Sequence, residues 1–436
     1  MSTPSWDYFQ RVFTLSMYAN KLIPYRSTAE LLTEQLQVAL SQIMDMQGSG
    51  PASYVLQPSS DSISTIGNWK LEWGPLVKGP ETDSGIPQNA VFVASSTDAA
   101  PAGQGIMGQK VYVVAIAATN PYSMIDWIVE DGLVDKVVDF TTFEPQDIQD
   151  ADRPNDATTP YISKGTALGV KDIATLYPHK GALGVSETLV DFLSSIPADD
   201  AGTATLIFTG HSLAGALSPT LAAYLQRKGL LGKFGQVLVF PTAGATPGNG
   251  QFAGYFADNF KPVSTDLDAA YASWNVMHWN HLDVVPHAWA TAPSSPANMT
   301  QIESLYGAPG SLLAPQLEVI VGKAEGRANS SGITYTMLPN QPFTNSTVVG
   351  QIPPYDPNGK ELDMPLNGLP AFLQELGWQH VGAYSHAYLN GNEEVKLILP
   401  GPIENQPGYK LLPGVTYMSP ESEIEAIVDY ILHHLL

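Results

Sequence analysis

The stretch Thr205-Leu206-Ile207-Phe208-Thr209-Gly210-His211-Ser212-Leu213-Ala214-Gly215-Ala216 carries the most chemical information in the chain. An apolar, strand-forming run meets Gly-x-Ser-x-small, and a helical pattern follows at once. A serine on such a strand–turn–helix elbow is held in a strained backbone conformation that lifts its Oγ above the sheet. Gly210 and Ala214 are small because larger side chains would clash where strand and helix cross. The amide of Leu213 then lies at a helix N-terminus, where it can donate to an oxyanion and gains from the helix dipole. The bland alternative is a Gly–Ser turn in which Ser212 caps the helix.

A nucleophilic serine needs a histidine to take its proton and a carboxylate to orient that histidine. On an elbow of this type the chain order is Ser, acid, His. Asp283 lies in Asn280-His281-Leu282-Asp283-Val284-Val285-Pro286, just past a strand candidate at Trp274 to Met277. Asp258, Asp266 and Asp268 sit in a polar, loop-like stretch and are weaker acids for the role. Downstream histidines are His287, His380, His386, His433 and His434. His287 is too close to Asp283 to reach back easily, and His433 and His434 fall on a terminal amphipathic pattern. His380, in Gly377-Trp378-Gln379-His380-Val381-Gly382-Ala383-Tyr384, and His386 remain as candidates for the base.

These elements resemble the fungal-type, or class 3, lipases of the α/β-hydrolase fold. The elbow Gly210-His211-Ser212-Leu213-Ala214-Gly215 is similar to that family's Gly-His-Ser-Leu-Gly-Gly, with Ala214 in place of a glycine. The segments around Val113 to Thr119, Asp126-Trp127-Ile128, Pro241 to Gly244 and Asp283 to Pro286 fall in the family's order. The resemblance covers roughly 105–290, with a thinner echo at 371–400. It implies Ser212, Asp283 and His380 as a triad, and the Gln-His…Tyr form is one that similar bacterial proteins place at the catalytic histidine. It also implies Thr119 and Leu213 as oxyanion donors. The family's Arg-Gly-[Ser/Thr] turn stands here as Ala117-Ala118-Thr119. A Trp-bearing lid over 122–132 is implied too, with Ile125, Trp127 and Ile128 as its apolar members; the same residues also read as core contacts of a short helix.

The elements that must position these groups read as alternating strands and helices. Tyr112 to Ile116, Ala204 to Thr209 and Gln236 to Phe240 are short apolar strands, and Leu213 to Lys228 is a helix stopped by Gly229. This alternation predicts an α/β fold with a mostly parallel sheet covered on both faces. The expected organisation is one domain over 1–436. It comprises N-terminal helices (1–50), a catalytic core (105–290), an irregular insertion (291–370) and a segment with the base and a C-terminal helix (371–436).

Composition narrows the function. Net charge is −22, from 20 basic and 42 acidic side chains, which argues against nucleic acid and polyanionic substrates. The absence of cysteine excludes disulfides, thiolate metal sites and a thiol nucleophile. His278, His281, Asp283 and His287 match no metal-ligand spacing. No cofactor is expected. Residues 201–226 carry no formal charge but divide into a strand and a helix, so no membrane span is expected. Met1 to Pro24 lacks the pattern of a secretory leader, and the compartment stays open. The expected activity is hydrolysis of a small-molecule or neutral lipid ester. A feruloyl or short-chain esterase, an acyltransferase and a catalytically silent binding protein are the alternatives.

Overall fold

The computed structural model describes residues 4–51, 56–79, 87–118, 133–152, 154–307, 309–343, 368–389 and 411–419, with positions 422, 425, 427–429 and 431. Its centre is a seven-stranded sheet: β1 (Lys70–Lys78), β2 (Asn89–Ser96), β3 (Lys110–Ala118), β4 (Ala204–His211), β5 (Gln236–Thr242), β6 (Met277–Asn280) and β7 (Asn340–Phe343). Their order across the sheet is their order in the chain. β1 to β3 form an antiparallel meander, and β3 to β7 run parallel. The α/β-hydrolase expectation of a mostly parallel sheet covered on both faces holds.

Helices α1 (Tyr8–Ala19), α2 (Ala29–Leu40), α3 (Lys164–Thr175), α4 (Leu213–Arg227), α5 (Gly250–Asn259), α6 (Ala314–Ser330), α7 (Leu369–Gly377) and α8 (Ala383–Leu389) surround it. Right-handed crossovers between successive parallel strands put their helices on one side. Accordingly Val170 of α3, Leu217 and Leu221 of α4, and Phe252 of α5 share an apolar cluster with Tyr112, Val114 and Ile116 of β3. The alternate residues of β3, Val111, Val113 and Ala115, face the opposite side. Chain from outside the crossovers must cover that side. Phe9, Phe13 and Met17 of α1, Leu32 and Leu36 of α2, and Tyr384 and Tyr388 of α8 do so.

α1 is buried along its whole length, including Gln10 and Arg11. Several of its polar groups are paired within the protein: Asp7 caps the helix in a reciprocal box with Gln10, and Gln10 Nε2 also donates to the Tyr388 carbonyl at 2.7 Å. The Arg11 Nε donates to the Trp6 carbonyl at 2.7 Å. Such pairing is the condition on which polar side chains enter a core.

The described part of 291–370 is less irregular than its composition suggests. It contains α6, whose Leu317, Ile320, Val321, Ala324 and Ala328 are buried, and the edge strand β7. Gly322, Gly326 and Pro342 disguise both elements, and a proline is tolerated in β7 because only one side of an edge strand is paired. Between 184 and 196 only Leu189–Ser195 is helical, started by a capping box of Thr188 and Asp191. The C-terminal helix expected beyond Ser419 lies mostly outside the described residues. Among the described residues, no helix is long and apolar enough to cross a membrane.

Candidate active site

The site gathers at the C-terminal ends of β4, β5 and β6. Ser212 joins β4 directly to α4 with φ +66° and ψ −134°. A non-glycine residue there costs on the order of 1–3 kcal/mol and persists only where its surroundings enforce it. The enforcement is visible. Ser212 N donates to the Thr242 carbonyl at 3.1 Å, and the Ser212 carbonyl accepts from Gly215 N at 2.7 Å. A Cβ on Gly210 would lie 2.4 Å from the Ala214 carbonyl oxygen, and one on Gly215 would lie 2.4 Å from the Thr242 carbonyl oxygen. Both glycines are therefore steric requirements of the elbow, whereas position 214 accommodates a methyl group. The Ser212 hydroxyl makes no capping bond to α4, which removes the helix-cap reading. The Leu213 amide is the first of α4, one of the four that a helix leaves without an internal acceptor.

Asp283 lies just past β6 and is fully buried. Its Oδ1 accepts from Val285 N at 3.0 Å, and its Oδ2 accepts from the Tyr384 hydroxyl at 2.7 Å. His380 Nδ1 stands 3.0 and 2.9 Å from the two carboxylate oxygens. A carboxylate can only accept, so Nδ1 carries the proton and a neutral ring offers the lone pair of Nε2. That Nε2 is buried and has no hydrogen-bond partner among the described residues.

His380 is carried on a wide π-helical turn, Trp378–Gly382, between α7 and α8. Gly382 is needed there, because a Cβ would collide with the Trp378 ring. Asn280 at the end of β6 donates from Nδ2 to the Gln379 carbonyl at 3.1 Å and to Gln379 Oε1 at 2.8 Å. Gln379 in turn donates to Glu375 at 2.8 Å. Burial raises the Glu375 carboxyl above its ordinary range, and the Gln379 bond only partly offsets this.

His211 ties His380 to the elbow. Its Nε2 lies 2.7 Å from the His380 carbonyl and its Nδ1 2.9 Å from Thr242 Oγ1. Burial first, and then the neighbouring His380, push His211 well below the usual histidine range. The ring is thus neutral at neutral pH, with Nε2 donating to the carbonyl and Nδ1 accepting from the Thr242 hydroxyl. The bond to the carbonyl joins the residue before Ser212 to His380, with ring centroids of His211 and His380 4.9 Å apart. Phe13 of α1 packs edge-on against His211 at 6.3 Å, so the N-terminal helix supports the elbow from beneath.

His386 projects from an exposed position on α8, while Asp283 is inaccessible to solvent, so the structure does not bring these two together. Thr119 and the lid residues Ile125, Trp127 and Ile128 lie outside the described residues. Sequence reasoning left the hydrogen-bonding roles of Tyr384, His211, Asn280 and Gln379 unread. The spacing of Tyr384, four after His380 on a helical pattern, was the signal available for one of them. Among the described residues, no group of three or more His, Asp or Glu side chains could hold a metal ion.

Residues 149–292 match the model of the family described as lipase (class 3). Among solved structures, the chain is similar to the crystal structure of M37 lipase, at 21% identity over 90% of this chain and 97% of that one, with a TM-score of 0.60. It is also similar to nonglycosylated LIP2 lipase of Yarrowia lipolytica, at 15% identity over 68% of this chain and 79% of that one, with a TM-score of 0.35. A lipase from Rhizopus microsporus var. chinensis aligns at 13% identity over 64% of this chain and 68% of that one, with a TM-score of 0.34. No curated protein matches the chain.

Proposed function

We propose, from the match of residues 149–292 to the class 3 lipase family, that the chain is an ester-hydrolysing enzyme of the α/β-hydrolase fold and that it cleaves neutral acylglycerols through Ser212, His380 and Asp283. His380 Nε2 accepts the Ser212 proton as Oγ attacks the ester carbonyl. Asp283 holds the imidazole in the tautomer this needs and stabilises the imidazolium that forms. The tetrahedral oxyanion develops against the Leu213 amide, with Thr119 as the second donor. The imidazolium passes its proton to the departing alcohol. Water, deprotonated by the same nitrogen, then releases the acid from the acyl-enzyme. No step requires a cofactor. The net charge of −22 favours uncharged substrates over polyanions.

The observation that carries this reading is the buried His380 ring, seated on Asp283 through Nδ1, with an Nε2 that has no partner among the described residues and a backbone carbonyl that takes the bond from His211 of the elbow. A fluorophosphonate probe, followed by peptide mapping, tests the nucleophile: the adduct belongs on Ser212. Labelling at another residue, or undiminished ester turnover by Ser212→Ala, removes the reading. A series of p-nitrophenyl and glycerol esters tests the substrate class. The kcat/KM should rise with acyl length beyond about eight carbons, because each buried methylene adds roughly 0.8 kcal/mol. A maximum at acetate or feruloyl would make it an esterase.

A further inference from the structure

We infer that Tyr384 is a positioning residue of the reaction, acting through Asp283; the inference rests on the triad proposed above. A carboxylate that orients a histidine must itself be held in one plane. Val285 N fixes Oδ1 at 3.0 Å, but a single donor leaves the group free to turn about its last torsion. The Tyr384 hydroxyl supplies the second constraint, donating to Oδ2 at 2.7 Å.

Tyr384 is itself held at both ends. Its hydroxyl oxygen accepts from Asn280 N at 2.9 Å, so the proton is directed at Asp283. Its ring packs edge-on against His211 at 5.0 Å and Phe343 at 5.1 Å. The residue is fully buried. Burial and the adjacent Asp283 carboxylate keep the phenol protonated well above its ordinary range, so it remains a donor throughout neutral pH.

The spacing adds a second function. Tyr384 follows His380 by four positions, across the junction of the π-turn and α8. One helical surface therefore presents the base to one edge of the Asp283 carboxylate and a hydroxyl to its Oδ2. The distance between His380 and Asp283 is set by the same rigid segment that fixes the carboxylate plane. Tyr384 need not touch the substrate to act in this way.

The test is Tyr384→Phe, which keeps the ring, assayed on a p-nitrophenyl ester in the wild-type and Asp283→Asn backgrounds. Loss of a hydrogen bond to a charged group predicts a fall in kcat of roughly ten- to hundredfold. KM should stay within about twofold, because no substrate contact is removed. In the Asp283→Asn background the same change should alter kcat by less than about twofold, since the group it acts through is gone. An equal loss in both backgrounds, or no loss in the first, overturns the inference. An Asp283→Asn enzyme of full activity instead overturns the triad itself, so the two failures are distinguishable. If Tyr384→Phe does not fold, a ring-fluorinated tyrosine at 384 changes donor strength alone. A change in kcat at constant KM then supports the role, and an unchanged kcat overturns it.

Discussion

Replacing Asp283 by asparagine inverts a single donor–acceptor relationship, and the structure dictates which one. Val285 N can only donate, so the asparagine Oδ1 must take the place of the carboxylate oxygen it now bonds at 3.0 Å. The amide nitrogen then occupies the Oδ2 position, facing His380 Nδ1 and the Tyr384 hydroxyl. It donates, so His380 Nδ1 must accept, and the imidazole proton moves to Nε2. A ring with its proton on Nε2 has no lone pair there for the serine proton. A wrong tautomer with retained geometry costs about 10⁴ in kcat in triads of this type, roughly 5–6 kcal/mol of transition-state stabilisation. KM should change little. The variant should stay folded, because shape and packing are preserved. The assay is steady-state hydrolysis of a p-nitrophenyl ester, with a thermal melt and the rate of fluorophosphonate labelling as controls. A folded Asp283→Asn protein within tenfold of wild-type kcat would refute the reasoning.

Gly210→Ala should lower the melting temperature and abolish turnover, since its Cβ would lie 2.4 Å from a backbone oxygen; a cost of at least 1–3 kcal/mol is expected. Ala214→Gly should keep turnover within a few-fold and lose only about 1 kcal/mol of helix propensity; a crippled variant would show that the methyl group has a role beyond packing. His386→Ala should leave ester turnover intact, because this side chain is exposed; loss of activity would reassign the base. Acid should destabilise the fold through its buried histidines. Burial lowers His278 to about 4, so the unfolded chain binds its proton near the ordinary ~6.5 while the folded chain does not. Stability is complete above that value and falls by about 3 kcal/mol for this group as pH drops from 6.5 to 4. Burial also lowers His211 and His287, which act in the same direction. Urea titrations from pH 7.5 to 4.5 should show this slope and its reduction in His278→Gln; parallel curves for the two proteins would contradict the assignment.

The elbow was legible from residue order because its constraints are local. Gly210, Ser212 and Gly215 fall within six positions, and each answers a contact made by the adjoining turn or by the end of the next strand. Asp283 was legible for a similar reason: a turn follows β6 within three residues, and the carboxylate bonds the amide two positions on. The apolar runs of β3, β4 and β5 were equally plain, since strands buried on both faces have no polar side to display.

What covers the sheet was not legible. The crossover helices α3, α4 and α5 take one side, so burial of α1 on the other follows from the handedness of distant connections. Nothing in Gln10 or Arg11 announces that both will be enclosed. α3 has a weak helical signal because of Gly165 and Gly169; Gly169 lies close under the Leu217 side chain, whose Cδ2 would stand 2.7 Å from an added Cβ. β7, Asn340-Gln341-Pro342-Phe343, has no strand pattern of its own and is a strand because β6 offers it an unpaired edge. The choice between His380 and His386 shows the division most clearly. Order along the chain named the type of side chain and the segment bearing it. Six helical positions turn a side chain through about 240°, so only one of the two can face a given carboxylate. Which one does depends on where the π-turn seats against β6, and that is decided by Asn280, Tyr384 and His211 from three separate parts of the chain.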